Sequence, residues 1–165
     1  MLALDDTRSK FIYIGGDGTP HSGYKKTLLF DAVSNSWRET SNLNVGRRFI
    51  SQMCFKHKLH SGRDVVIVIG GLTRPMEFLN STEIYDIETE TWTLGPLLPY
   101  AMEGSLVAKV DGAIFAIGGR GMLSGSTSNL GSVLEMDSMT LEWKVRPDLE
   151  LNRRSSRVNG ILYNV

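Results

Sequence analysis

Residues 65–92 read VVIVIGGLTRPMEFLNSTEIYDIETETW, and the order of residue types in this stretch decides the fold. A short β-branched run, Val65 to Ile69, stops at the pair Gly70-Gly71. Such a run bounded by turn residues is a strand signal, and paired glycines let the chain take positive φ or pass close to neighbouring backbone. A second apolar run follows, ending in Tyr85-Asp86, and six residues after the aspartate stands Trp92. No stretch shows the 3.6-residue periodicity of a helix.

The same order occurs twice more. FIYIGG closes at Gly15-Gly16 and IFAIGG at Gly118-Gly119; Phe30-Asp31 and Met136-Asp137 take the place of Tyr85-Asp86; Trp37 and Trp143 follow their aspartates by six residues. All three tryptophans of the chain are used in this way, and Ser34, Thr89 or Thr140 lies three residues after each aspartate. Repetition of one unit at a period near fifty residues marks a repeat architecture. The first interval is longer by about seven residues, an excess located around LHSGRD (59–64), which reads as one lengthened loop.

Each period holds four short strand-like runs; in the third they are SLVAKV, AIFAI, GSVLEMD and LEWKV. Asp111-Gly112 between the first two fits a two-residue hairpin, whose turn needs positive φ at both positions, and Asn159-Gly160 is its counterpart in the tail. The aspartates suit side-chain-capped turns between the third and fourth runs, and the tryptophans suit plates packed between one sheet and the next. The expected class is all-β, with four-stranded antiparallel sheets arranged as propeller blades.

These residues resemble the Kelch repeat family: GG, then a large apolar residue before Asp, then Trp, over practically the whole chain. Met136 departs from the usual aromatic, and Leu2 to Leu4 is only a stub of an opening strand. The resemblance implies a Kelch-type β-propeller, commonly of six blades. The repeats divide as 1–46, 47–100 and 101–152, with the start of a fourth at 153–165, so an incomplete ring is expected. The tail ends one residue before its glycine pair would begin, which reads as truncation, and self-association is the expected consequence.

Composition narrows the function. The 165 residues carry eighteen basic and eighteen acidic side chains, so the electrostatic footprint of nucleic-acid or polybasic membrane binding is missing. No apolar stretch approaches the roughly twenty residues of a membrane helix, and the start has no signal-peptide pattern. Cys54 is the only cysteine, which excludes an internal disulfide and fits a reducing, cytoplasmic setting. Gly119-Arg120-Gly121 lacks the third glycine of a dinucleotide fingerprint. His57 and His60, flanking the lengthened loop, read as solvated turn residues rather than metal ligands, and Glu88 with Glu90 and Asp5 with Asp6 read as solvated carboxylates. No catalytic, metal or cofactor-binding residue is expected, and no cofactor.

What remains is surface. The loops after each second strand (17–26, 72–78 and 120–129) share one face with the connections between modules, and rigid sheets holding variable tips make natural partner contacts. That face gathers Arg47, Arg48, Arg74, Phe78, Tyr100, Met102, Arg120, Arg153 and Arg154, a mixture enriched at binding hot spots and able to hold carboxylates. Arg47 and Arg153 equally suit bracing between blades. The expected partner is a protein or peptide carrying acidic groups. Resemblance to the family implies the substrate-recognition part of a cullin-RING ubiquitin ligase adaptor, or an actin-associated scaffold. The alternative of another class is a fragment of a copper radical oxidase, also built on a Kelch propeller, which needs a cysteine cross-linked to tyrosine with histidine ligands; one cysteine and about half a propeller weigh against it.

Overall fold

The computed structural model describes residues 1–16, 25–50, 53–73, 77–123 and 126–149. The first sheet contains β1 (Leu2–Ala3), β2 (Lys10–Ile14), β3 (Thr27–Asp31) and β4 (Ser36–Glu39). The second contains β5 (Cys54–Lys58), β6 (Asp64–Ile69), β7 (Thr82–Asp86) and β8 (Thr91–Leu94). In the third module β9 (Met102–Glu103) precedes β10 (Leu106–Val110), β11 (Ala113–Ile117), β12 (Arg120–Leu123), β13 (Ser126–Asn129), β14 (Val133–Met136) and β15 (Trp143–Val145), and one 3₁₀ turn spans Pro147–Leu149.

Each main sheet is an antiparallel meander, ordered β1-β2-β3-β4, β5-β6-β7-β8 and β10-β11-β14-β15, and the three sheets stack in series as blades without closing a ring. The same register recurs in all three. Phe30 lies opposite Trp37, Tyr85 opposite Trp92, and Met136 opposite Trp143. A cross-strand pair presents both side chains to one face, so each apolar residue and its tryptophan form one plate. Ring centroids are 4.8 Å apart for Phe30 and Trp37 and 5.0 Å for Tyr85 and Trp92.

Position in the stack decides burial. The run Val65–Ile69 in the middle blade is buried throughout, whereas in β2 only Ile12 is fully buried, because its blade has a neighbour on one face only among the described residues. The hairpin between β10 and β11 turns at Asp111 and Gly112, with φ of 49° and 83°, as the two-residue turn requires. The lengthened loop closes on itself at Leu59, whose amide donates to the Arg63 carbonyl.

Two local expectations need correcting. Residues 120–123 and 126–129 are not plain loop: β12 and β13 pair antiparallel, and β12 also pairs with β9, giving a small third-module sheet on the loop face. His57 lies inside β5 rather than in a turn, and its Nε2 is 3.3 Å from the Ser138 carbonyl of the next blade. The Asn159-Gly160 turn lies outside the described residues.

Candidate functional site

The loop face is built where each glycine pair meets the next module. Gly70 and Gly71 have φ of 55° and 100°, and the Gly71 amide donates to the Met102 carbonyl at 2.8 Å. A Cβ on Gly70 would stand 2.4 Å from that carbonyl oxygen, so only glycine lets the entry strand of the following blade cross here.

Arg47, expected to face a partner, is fully buried, and this corrects the expectation. Its Nη1 donates to the carbonyls of Gly70 (2.8 Å) and Ser81 (3.0 Å), and its Nη2 donates to Ser81 Oγ (3.1 Å) and Glu83 Oε1 (2.8 Å). Glu83 is equally buried and accepts from the amides of Asn44 (2.7 Å) and Val45 (3.0 Å) and from Asn44 Nδ2 (2.9 Å). Burial pulls the Arg47 guanidinium below the ordinary arginine range, with the Glu83 hydrogen bond opposing the effect. Bracing is therefore the role its contacts serve. Met102 is also wholly buried and offers no contact surface, and Tyr100 is half-buried against the core.

Two of the expected residues sit on aromatic rings. The Arg48 guanidinium lies 5.1 Å from the centroid of its neighbour Phe49, which is 52% exposed and held at φ 58°. The Arg120 guanidinium lies 5.7 Å from the Phe78 centroid, within the cation–π range. Arg120 also donates from Nε to Glu103 Oε1 at 2.9 Å, and its Nη2 lies 2.8 Å from the same oxygen as an ion pair. Backbone bridges join Arg48 to Leu72 and Leu72 to Phe78, so both stacks rest on ordered strand-like backbone. Arg74, Arg153 and Arg154 lie outside the described residues.

The opposite end of the sheets carries the turns. Oδ1 of Asp31 accepts the amides of Val33 and Ser34, Asp86 those of Glu88 and Thr89, and Asp137 those of Met139 and Thr140, all at 2.8 to 3.0 Å. These bonds hold all three carboxyls below the usual carboxylate range. Asp5, bonded chiefly to the Ser9 hydroxyl, is lowered to about 2. Among the described residues no group of three His, Cys, Asp or Glu is placed to hold a metal ion, and no helix is long and apolar enough to cross a membrane.

The tryptophans mark the junctions. Trp92 Nε1 donates to Thr27 Oγ1 of the first blade at 3.0 Å, and Trp143 meets Phe55 of the second edge-on at 6.4 Å. Trp37 is 50% exposed.

Three charged or aromatic participants escaped the sequence reading: Glu83, Glu103 and Phe49. Glu83 was findable, because it lies two residues before Tyr85 in an alternating strand and so must share the buried face. Nothing local distinguishes Glu103.

The Kelch motif matches residues 53–96. Similar proteins include Kelch-like protein 15 of Danio rerio, 28% identical over 93% of this chain and 24% of that protein. A Kelch repeat and BTB domain-containing protein of Caenorhabditis elegans is 29% identical over 70% of this chain and 19% of its own length, and Kelch-like protein 35 of Mus musculus is 26% identical over 85% and 23%. The chain spans about a quarter of the length of the curated relatives it matches.

Proposed function

We propose that this chain, which matches the Kelch motif over residues 53–96, forms part of the substrate-recognition propeller of a cullin-RING ubiquitin ligase adaptor, working in the cytoplasm. Similarity to Kelch-like proteins supports a protein-interaction module. What supports the finer reading is the name of the worm relative, which joins Kelch repeats to a BTB domain. The observation that carries the binding surface is the pair of arginines laid on phenylalanines at the loop edge, Arg48 on Phe49 and Arg120 on Phe78. Stacking fixes each guanidinium in place, and arginine is the side chain that matches carboxylate geometry, so the ligand read here is an acidic segment of a protein.

The test is capture of acidic peptides by the 165-residue chain and by a variant with Arg48, Arg74 and Arg120 all changed to Ala. Loss of capture with an unchanged unfolding midpoint supports the reading, and equal capture overturns it. Co-purification of the full-length gene product with a cullin tests the adaptor role, and a full-length product that binds none sinks it. Arg47 is left out of the variant because its removal would disturb the fold.

A further inference from the structure

Between the first and second blades, at the turn end and away from the loop face, the sheets part around a cleft of about 500 Å³. Leu4, Leu29, Tyr85 and Ile87 form its apolar wall, Ser34 and Ser36 add hydroxyls, and five charged groups rim it: Asp5, Lys10, Asp31, Arg38 and Glu90. A volume of this size is typical of ligand sites, and a lining this rich in charge suits a polar or charged ligand.

The next junction shows that stacking itself does not demand such an opening. Lys10 pairs in register with Asp31, and the residue pairing with Asp86 is Val65, buried to 1% exposure. Two residues before Trp92 and Trp143 stand Glu90 and Leu141, both at positive φ, and Leu141 belongs to the buried core. Where the second junction has two apolar side chains, the first has charged ones and open space.

The repeats also indicate what the space takes. In the second blade Oδ1 of Asp86 caps its turn while Oδ2 accepts the Arg63 guanidinium at 2.6 Å. In the first blade Asp31 caps its turn in the same way, and Arg8, in the register of Arg63, forms no ion pair among the described residues. Arg38 is already held by Glu90 through two hydrogen bonds. The turn amides, helped by the charge of Lys10, keep Asp31 ionised.

The geometry points to a second binding site in this cleft, one that takes an arginine side chain of a partner protein, its guanidinium on Asp31 Oδ2 and its aliphatic stem against Leu29 and Ile87. The incoming cation displaces Lys10 from the rim. The site lies at the opposite end of the sheets from the arginine stacks and is independent of what binds there.

Titration of the ¹⁵N-labelled 165-residue chain with acetyl-Gly-Arg-Gly-amide tests the assignment, with the neutral citrulline analogue as control. Saturable shifts of the Val33 and Ser34 amides are expected with the arginine peptide, and affinity roughly tenfold or more weaker for citrulline, the factor set by losing one charge-assisted bond. Asp31→Asn keeps an oxygen for the turn amides but loses the acceptor, so it should weaken binding by the same factor with spectral dispersion unchanged. Lys10→Ala should strengthen it. Citrulline binding as well as arginine, or Asp31→Asn binding like the parent chain, overturns the site.

Discussion

The second and third blades solve one packing problem with opposite chemistry. Behind the glycine pair of the second blade a buried ion pair, Arg47 with Glu83, satisfies the Gly70 carbonyl. In the third blade the matching registers hold Met102 and Leu134, both buried to 0%, and the Gly118 carbonyl takes the Ser105 hydroxyl at 2.9 Å. A buried charge pair repays its desolvation only through good geometry and added hydrogen bonds, and an apolar pair of similar volume often serves as well. The third blade is thus a natural control for the second: the architecture requires the glycine carbonyl to be satisfied and the space filled, and it does not require charge.

Breaking the pair from one side should give the largest effect. Glu83→Leu leaves the Arg47 charge buried without its anion and should cost about 3 to 5 kcal/mol, read from the urea midpoint. Arg47→Met combined with Glu83→Leu copies the third blade and should recover most of that loss. A double variant as unstable as the sum of the singles would show that the second blade depends on charge after all.

The tryptophans sharpen the same comparison. Trp92→Ala removes a buried plate and its bond to Thr27, at a cost of about 3 kcal/mol. Trp37→Ala should cost nearer to about 1 kcal/mol, chiefly the ring contact with Phe30. Equal losses in thermal or urea unfolding would mean that module position does not govern their contribution.

Acid should act on all blades alike, because the turn aspartates are the one polar device they share. Their folded-state pKa values are depressed, so the stability they contribute is present above the ordinary carboxylate pKa near 3.8 and is lost as pH falls through the folded values. For Asp5 the window runs from about 4 down to about 2. Amide NMR of Ser34, Thr89 and Thr140 across this range should show three parallel transitions below pH 4, and one blade titrating near 4 would single it out.

The smallest effect belongs to the hairpin. Gly112 has φ 83° and open space where a Cβ would stand, so Gly112→Ala tests backbone strain alone, at about 1 kcal/mol in the unfolding midpoint. No measurable change would show that the hairpin relaxes into another turn.

Legibility followed the range of the interactions. The strands, the register of Tyr85 with Trp92 and the capped turns at Asp31, Asp86 and Asp137 depend on neighbours within a few residues or on alternation, and the sequence displays both. The pairing of β12 with β13 was hidden because Gly, Ser and Thr serve turns and exposed strands alike, and the pairing of β12 with β9 is set by the chain crossing from the second blade. The surface was harder to read than the fold. Arg47 and Arg48 are adjacent and of one type, yet one is sealed behind the glycine pair and the other lies over Phe49. Only the partner distinguishes them, and Glu83 lies thirty-six residues away. Arg120 is tied to Glu103 by the same kind of distant contact.

Placing one tryptophan per blade also gives the molecule its own optical reporters. Trp143 senses the second junction and Trp92 the first, both shielded, while Trp37 looks into solvent. Its emission should be the red-shifted, quencher-accessible fraction of the total, so a partner covering the outer face of the first blade would be seen as a blue shift from Trp37 alone. Parting of the first two blades would instead move Trp92 to the red. Single-tryptophan variants with phenylalanine at the other two positions would let events on one blade be followed without a label.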